Sequence, residues 1–163
     1  MPQLFCIALT TGLLSGLWAW IADSFHLLTW TGFLGCTSFF ATQGDLRSLM
    51  GSIASNISGV VWAMVMIYAS TIIESSVINY VIIAVVSFLM CAQAHKKWLA
   101  YIPGTFIGAC TTFAADGNWK VVAISLFVGA LMGYAMKHSG LYLHLFLKKE
   151  QTSDNLTEST QNY

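Results

Sequence analysis

Thr37, Ser38, Thr111 and Thr112 are uncharged hydroxyl side chains set in apolar sequence. Phenylalanines bracket each pair, Phe33 and Phe40 around the first, Phe106 and Phe113 around the second. A hydroxyl both donates and accepts, so it can replace part of a solute's hydration shell, and aromatic rings can set the bore a solute passes through. Asn56 offers a stronger donor and acceptor within a third apolar stretch, and Gly35, Gly104 and Gly108 let a second backbone come close. These types suit the passage of a small polar solute better than bond-making chemistry.

Other chemistries fail on spacing. Cys6, Cys36, Cys91 and Cys110 are scattered with no CxxC, and His26, His95, His138 and His144 form no metal-ligand pattern. No Ser/His, Cys/His or paired-carboxylate arrangement can be assembled at one depth, so no enzyme is expected, and nothing implies a cofactor. Phosphate loops and a basic nucleic-acid surface are both missing. The apolar stretches hold no Asp, Glu, Lys or Arg, which excludes the embedded ionisable groups of a proton-driven transporter.

The elements that must position these residues are membrane helices. The 163-residue chain is 56% hydrophobic and 9% charged, with a mean hydropathy of +0.69, far from the roughly quarter-charged composition of soluble domains. Its charges punctuate uncharged runs at 1–22, 24–44, 48–73, 75–94, 98–115 and 121–136, which predict six crossings. With the N-terminus inside, Arg47, Lys96, Lys97, Lys137, Lys148 and Lys149 fall on the cytoplasmic side and Lys120 alone outside, as the positive-inside rule prefers. The reading is one transmembrane domain over 1–140, a helix extension or amphipathic segment over 141–150, and a disordered cytoplasmic tail over 151–163. Small residues four apart, in Gly12/Gly16, Gly51/Ser55/Gly59, Gly104/Gly108 and Ser125/Gly129/Gly133, predict close helix packing.

The two hydroxyl stretches are also copies of one another. At an offset of 73 residues Phe33 meets Phe106, Gly35 meets Gly108, Phe40 meets Phe113, Ala41 meets Ala114 and Gly44 meets Gly117. The copies fall on the second and fifth helices, three crossings apart, and an odd number of crossings inverts the second copy. The expected architecture is therefore an all-α integral membrane protein of six transmembrane helices, built as two inverted three-helix repeats over 1–73 and 74–137.

The motifs "TTGLLSG", "WTGFLGCT", "SGVVWAMV", "FLMC", "PGTFIGA" and "GYAMKHSGL" together resemble the YcdZ-like family of small bacterial inner-membrane proteins, a domain of unknown function. The resemblance runs from about Ile7 to Gly140. It implies a multi-pass protein of the bacterial inner membrane and carries over no substrate or functional residue. From the residues themselves, the expected function is a passive channel or facilitator for a solute the size of urea, ammonia or a short carboxylic acid. The competing expectation is an accessory membrane protein without a conduit. The expected partners are the lipid bilayer and a small solute, with no nucleic acid, and a bundle this small is compatible with a homo-oligomer.

Overall fold

The computed structural model describes residues 3–73 and 75–161, with side chains as far as 149. Six helices follow one another, with no strand among the described residues: α1 (Gln3–Ser24), α2 (Thr29–Phe40), α3 (Leu46–Ile72), α4 (Ser76–Ala92), α5 (Ile102–Ala114) and α6 (Trp119–Gln161). Two short 3-10 turns, Gln93–His95 and Lys97–Leu99, link α4 to α5.

Four of the helical segments are long and apolar enough to cross a membrane, Gln3–Ser24, Leu46–Ile72, Ser76–His95 and Trp119–Lys149. The other two correct the expectation of six full-length spans. α2 has 12 residues and α5 has 13, about 18–20 Å at 1.5 Å per residue against a hydrocarbon core of about 30 Å. Pro103 in the first turn of α5 limits extension towards the N-terminus, because the proline ring disfavours helical geometry in the residue before it. At the start of α2, the Trp18 indole N–H donates to the Thr29 carbonyl at 3.0 Å. Trp18 lies about 9 Å short of the end of α1 at 1.5 Å per residue, so the chain turns back alongside α1 before α2 begins.

Each short helix ends in the same turn. Gly44 and Gly117, equivalent in the sequence repeat, adopt φ of +76° and +77°, a left-handed conformation that glycine enters without a Cβ clash. The side chain of Asp45 then caps α3, accepting the Ser48 N–H at 2.8 Å.

α6 differs from expectation at its far end. Its backbone stays helical through Gln161, where a disordered tail was expected from residue 151. Between Leu141 and Gln161 there is neither Gly nor Pro, and extending an existing helix needs no new nucleus. The last two residues of that expected tail lie outside the described residues.

The helices pack as two same-direction pairs. Beside α6 runs α2: the Leu28 N–H donates to Ser125 Oγ at 3.1 Å, Cys36 Sγ meets Met136 Sδ at 3.6 Å, and Lys137 Nζ donates to the Gln43 carbonyl at 2.8 Å. α5 runs beside α3, from Gly104 near Asn56 to Gly117 near Ile67. The short turn at 41–45 makes α2 and α3 antiparallel, so α2 and α5 are antiparallel as well.

Glycine sets the spacing in both pairs. A Cβ at Gly35 would strike the Leu126 carbonyl and one at Gly108 the Asn56 carbonyl, while Gly129 lies against the Gly32 carbonyl and Gly59 against the Thr105 carbonyl. By contrast Gly12, Gly16 and Gly51 have nothing within 4 Å. Close packing therefore holds for only part of the small-residue set. Gly35→Ala and Gly108→Ala are expected to lower stability in detergent by about 1–3 kcal/mol, the range of overpacked cores, whereas Gly12→Ala and Gly51→Ala change little. Thermal melts of the four variants check this.

Candidate functional site

The bundle end that carries Arg47, Lys97 and Lys137 holds a cavity of ≈ 490 Å³. Its mouth is formed by the α2–α3 turn with Gln43, Asp45 and Arg47, and by Lys97 and Trp98 of the second 3-10 turn. Tyr101 and Ser52 also line it. The hydrogen bond from Ser48 holds the exposed Asp45 carboxyl below its usual range.

Ser52 leads from the cavity into the interior. Ser38 Oγ lies 2.7 Å from Ser52 Oγ and donates to Asn56 Oδ1 at 2.9 Å. A hydroxyl has one proton, so the bond between the serines is donated by Ser52. All three residues are buried. Asn56 stands about 15 Å along α3 from Leu46 at 1.5 Å per residue, midway through the helix. Among the described residues its Nδ2 has no hydrogen-bond partner, and neither do Thr31 Oγ1 and Ser55 Oγ, all three buried. Buried donors without partners are rare and costly.

One turn beyond Asn56 the lining changes character. Val60, Val122 and Leu126 are buried together, packed by Leu28, Leu34, Ile107 and Ala115. Two hydroxyls on this side are occupied locally: Thr111 donates to the Ile107 and Gly108 carbonyls at 2.8 and 2.9 Å, and Thr112 to the Gly108 carbonyl at 2.8 Å. Thr and Ser in membrane helices commonly make such bonds within their own helix.

The structure thus separates the residues singled out from sequence. Ser38, Asn56, Thr111, Thr112, Gly35, Gly104 and Gly108 are buried where helices meet. Phe33, Phe40, Phe106 and Phe113 are 39–44% exposed, and Thr37 also faces outward. The rings do not form constrictions inside the chain, which corrects their expected placement. Phe33 and Phe40 are seven residues apart, as are Phe106 and Phe113, so each pair shares one helix face. The opposite face is required for the close approach to α6 or α3, which large rings would prevent. Phe113 borders a separate groove of ≈ 220 Å³ with Asn79 and residues of α3 and α4.

Sequence reasoning missed Ser52, Tyr101, Arg47 and Lys97 as cavity residues. Ser52 was legible, four residues before Asn56 and so on the same face of α3. The placement of Gln93 also becomes clear. Ser58 Oγ and Trp62 Nε1 donate to its Oε1 at 2.6 and 2.9 Å, and its Nε2 donates to Thr105 Oγ1 at 2.8 Å, tying the end of α4 to α3 and α5.

Residues 8–141 match the family model described as "Protein of unknown function (DUF1097)". The chain belongs to this family. It is 56% identical over 145 residues to the inner membrane protein YcdZ of Escherichia coli K12, covering 88% of this chain and 89% of that one. To the inner membrane protein YcdZ of Salmonella typhimurium it is 49% identical, over 95% and 97% of the two chains. The E. coli protein YahC, which carries the description uncharacterized, is 28% identical over 86% of this chain and 92% of its own. No solved structure matches. The family model ends within α6, at residue 141, so the matched segment holds both the cavity and the apolar layer.

Asp45 allows a test of this end of the bundle. A carboxyl with a depressed folded pKa contributes stability above its unfolded pKa and loses it as pH falls through the folded value. Asp45→Ala is therefore expected to melt below wild type at pH 7 and to converge with it as pH falls below the ordinary carboxylate range. Asp45→Asn, which keeps a cap without the charge, should stay near wild type at pH 7 and lack the Asp45-dependent loss on acidification. Melts from pH 7 to the acid limit of folding decide the matter.

Proposed function

We propose that the protein is a passive channel or facilitator for a small neutral or weakly charged solute, closed by an apolar layer. The observation that carries this reading is the run of polar groups from the Arg47 end to mid-helix, through Ser52 and Ser38 to Asn56 with its unpartnered Nδ2. A cluster of this kind is costly at membrane depth unless it serves binding or passage. The Val60/Val122/Leu126 layer beyond it has the composition of a hydrophobic gate, which blocks passage by excluding water.

The same reading takes the chain as two inverted repeats about an axis in the membrane plane. The close approaches support it: Gly35 against Leu126 is matched by Gly108 against Asn56, and the Gly32 carbonyl against Gly129 by the Thr105 carbonyl against Gly59. In this scheme Asn56 corresponds to Leu126, and Tyr101 to Leu28. One half presents polar groups to the path where the other presents leucine, so a path built from both halves is open at one end and shut at the other. The protein is then multi-pass in the bacterial inner membrane, with both termini and the Arg47 end in the cytoplasm. Copies of the chain associating in the membrane would fit the exposed phenylalanine faces.

A second reading, an accessory membrane protein without a conduit, is favoured by the hydroxyls of Thr111 and Thr112, which are engaged within their own helix. Stopped-flow light scattering on proteoliposomes separates the two. Under the channel reading Leu126→Asn, which gives the apolar half the residue of the polar half, raises solute flux severalfold, and Asn56→Leu lowers it. Liposomes no leakier than empty ones to urea, glycerol, ammonia, formate and acetate, with or without Leu126→Asn, would leave the accessory reading.

Orientation is tested independently. A reporter fused to the C-terminus is expected to be active only as a cytoplasmic reporter, and periplasmic activity would reverse the assigned sides.

A further inference from the structure

We infer that the cavity at the Arg47 end captures a short monocarboxylate, which makes the solute an anion with a small apolar tail. The inference rests on the channel reading above and names its substrate class. At ≈ 490 Å³ the cavity is within the range of small-molecule sites, roughly 300–1,000 Å³, and larger than urea or ammonia requires.

Its charged lining consists of Arg47, Lys97 and Asp45. Asp45 is already engaged, accepting the Ser48 N–H at 2.8 Å at the electropositive start of α3, so much of its charge is answered locally. The cavity is left with an excess of one positive charge, which suits a monoanion. Arg47 offers the planar fork of donors that fits the two oxygens of a carboxylate, and Lys97 adds a compact charge that tolerates varied geometry. The Ser48 hydroxyl lies on the same lining and can donate to the anion, whereas Ser52 already gives its proton to Ser38.

The remaining walls select the tail. Trp98, Ala100 and Tyr101 present ring and methyl surface, which rewards burial of a few methylene groups. A neutral solute gains nothing from the two cations, and an organic cation is repelled by them. The inference concerns capture at the cavity, upstream of the apolar layer, so binding can be read separately from passage.

The test uses the full-length purified protein, with butyrate and its neutral counterpart butyramide as probes. Because Trp98 lines the cavity, butyrate is expected to give a saturable change in tryptophan fluorescence that Trp98→Phe removes, while butyramide gives none. The double variant Arg47→Gln/Lys97→Gln should weaken butyrate binding about tenfold or more, the scale of one lost charge-assisted hydrogen bond. Lys96→Gln, outside the cavity, should not. In proteoliposomes the double variant should slow butyrate uptake more than it slows glycerol flux. An equal response to butyramide, or a double variant that binds butyrate as wild type does, overturns the inference. If urea or glycerol passes and butyrate neither binds nor passes, the inference fails while the channel reading stands. If no solute passes, the channel reading fails and the assignment of butyrate-like anions as its solute fails with it.

Discussion

Backbone-to-backbone contact between helices is the constraint on which the rest of the structure depends. At Gly35, Gly59, Gly108 and Gly129 a carbonyl of the neighbouring helix occupies the space that a Cβ would need. Helices in a membrane gain little from burying apolar surface, since lipid is as apolar as leucine, so close van der Waals contact and interhelical hydrogen bonds must hold them. Here that contact joins α2 to α6 and α5 to α3. Each short helix is thereby clamped against a long one, and a helix of 12 or 13 residues has a defined place without spanning the membrane itself.

The constraint also decides which side chains reach the interior. Where a face must touch another backbone it carries mostly Gly, Ser, Thr or Ala, so Thr31, Ser38, Thr105, Thr111 and Thr112 are buried while Phe33, Phe40, Phe106 and Phe113 turn outward, and the one buried ring of α2, Phe39, packs against Leu49 and Ala130 near the helix end. Small hydroxyl residues satisfy the packing rule at any depth, so their presence alone does not mark a path. The difference lies in their partners. Thr111 and Thr112 return their protons to carbonyls of their own helix, whereas Ser38 donates across to Asn56 and joins Ser52 beneath the charged cavity. Hydroxyls are thus linked across helices beneath the cavity, while Val60, Val122 and Leu126 pack one turn beyond Asn56.

The cavity follows from loop chemistry as much as from helix packing. Gly44 turns the chain with φ of +76°, Asp45 caps α3, and Lys137 reaches the Gln43 carbonyl, so the α2–α3 turn is fixed at the mouth. The longer link between α4 and α5 brings Lys97 and Trp98 to the opposite wall. At the other end Gly117 is the equivalent glycine, but the link from α1 to α2 spans only 25–28, and apolar residues meet there instead.

Composition and charge placement determined by themselves that the chain is helical and of the membrane, because an apolar run of that length can satisfy its backbone polar groups in lipid only as helix or closed barrel. Membership of the family was legible in short motifs, and the repeat in a plain comparison of two segments. The sequence could not show which face of a repeated helix points inward, since Phe at seven-residue spacing and Ser or Thr at three- and four-residue spacing describe two faces equally well. Only the tertiary structure decided that, through the carbonyls opposite Gly35 and Gly108. It also shortened α2 and α5, by a proline in one first turn and by the Trp18 indole bonded to Thr29 at the start of the other. The cavity was beyond sequence reasoning for the same reason. Arg47, Ser52, Lys97 and Tyr101 lie up to 54 residues apart in the chain, and nothing in their local spacing requires them to meet.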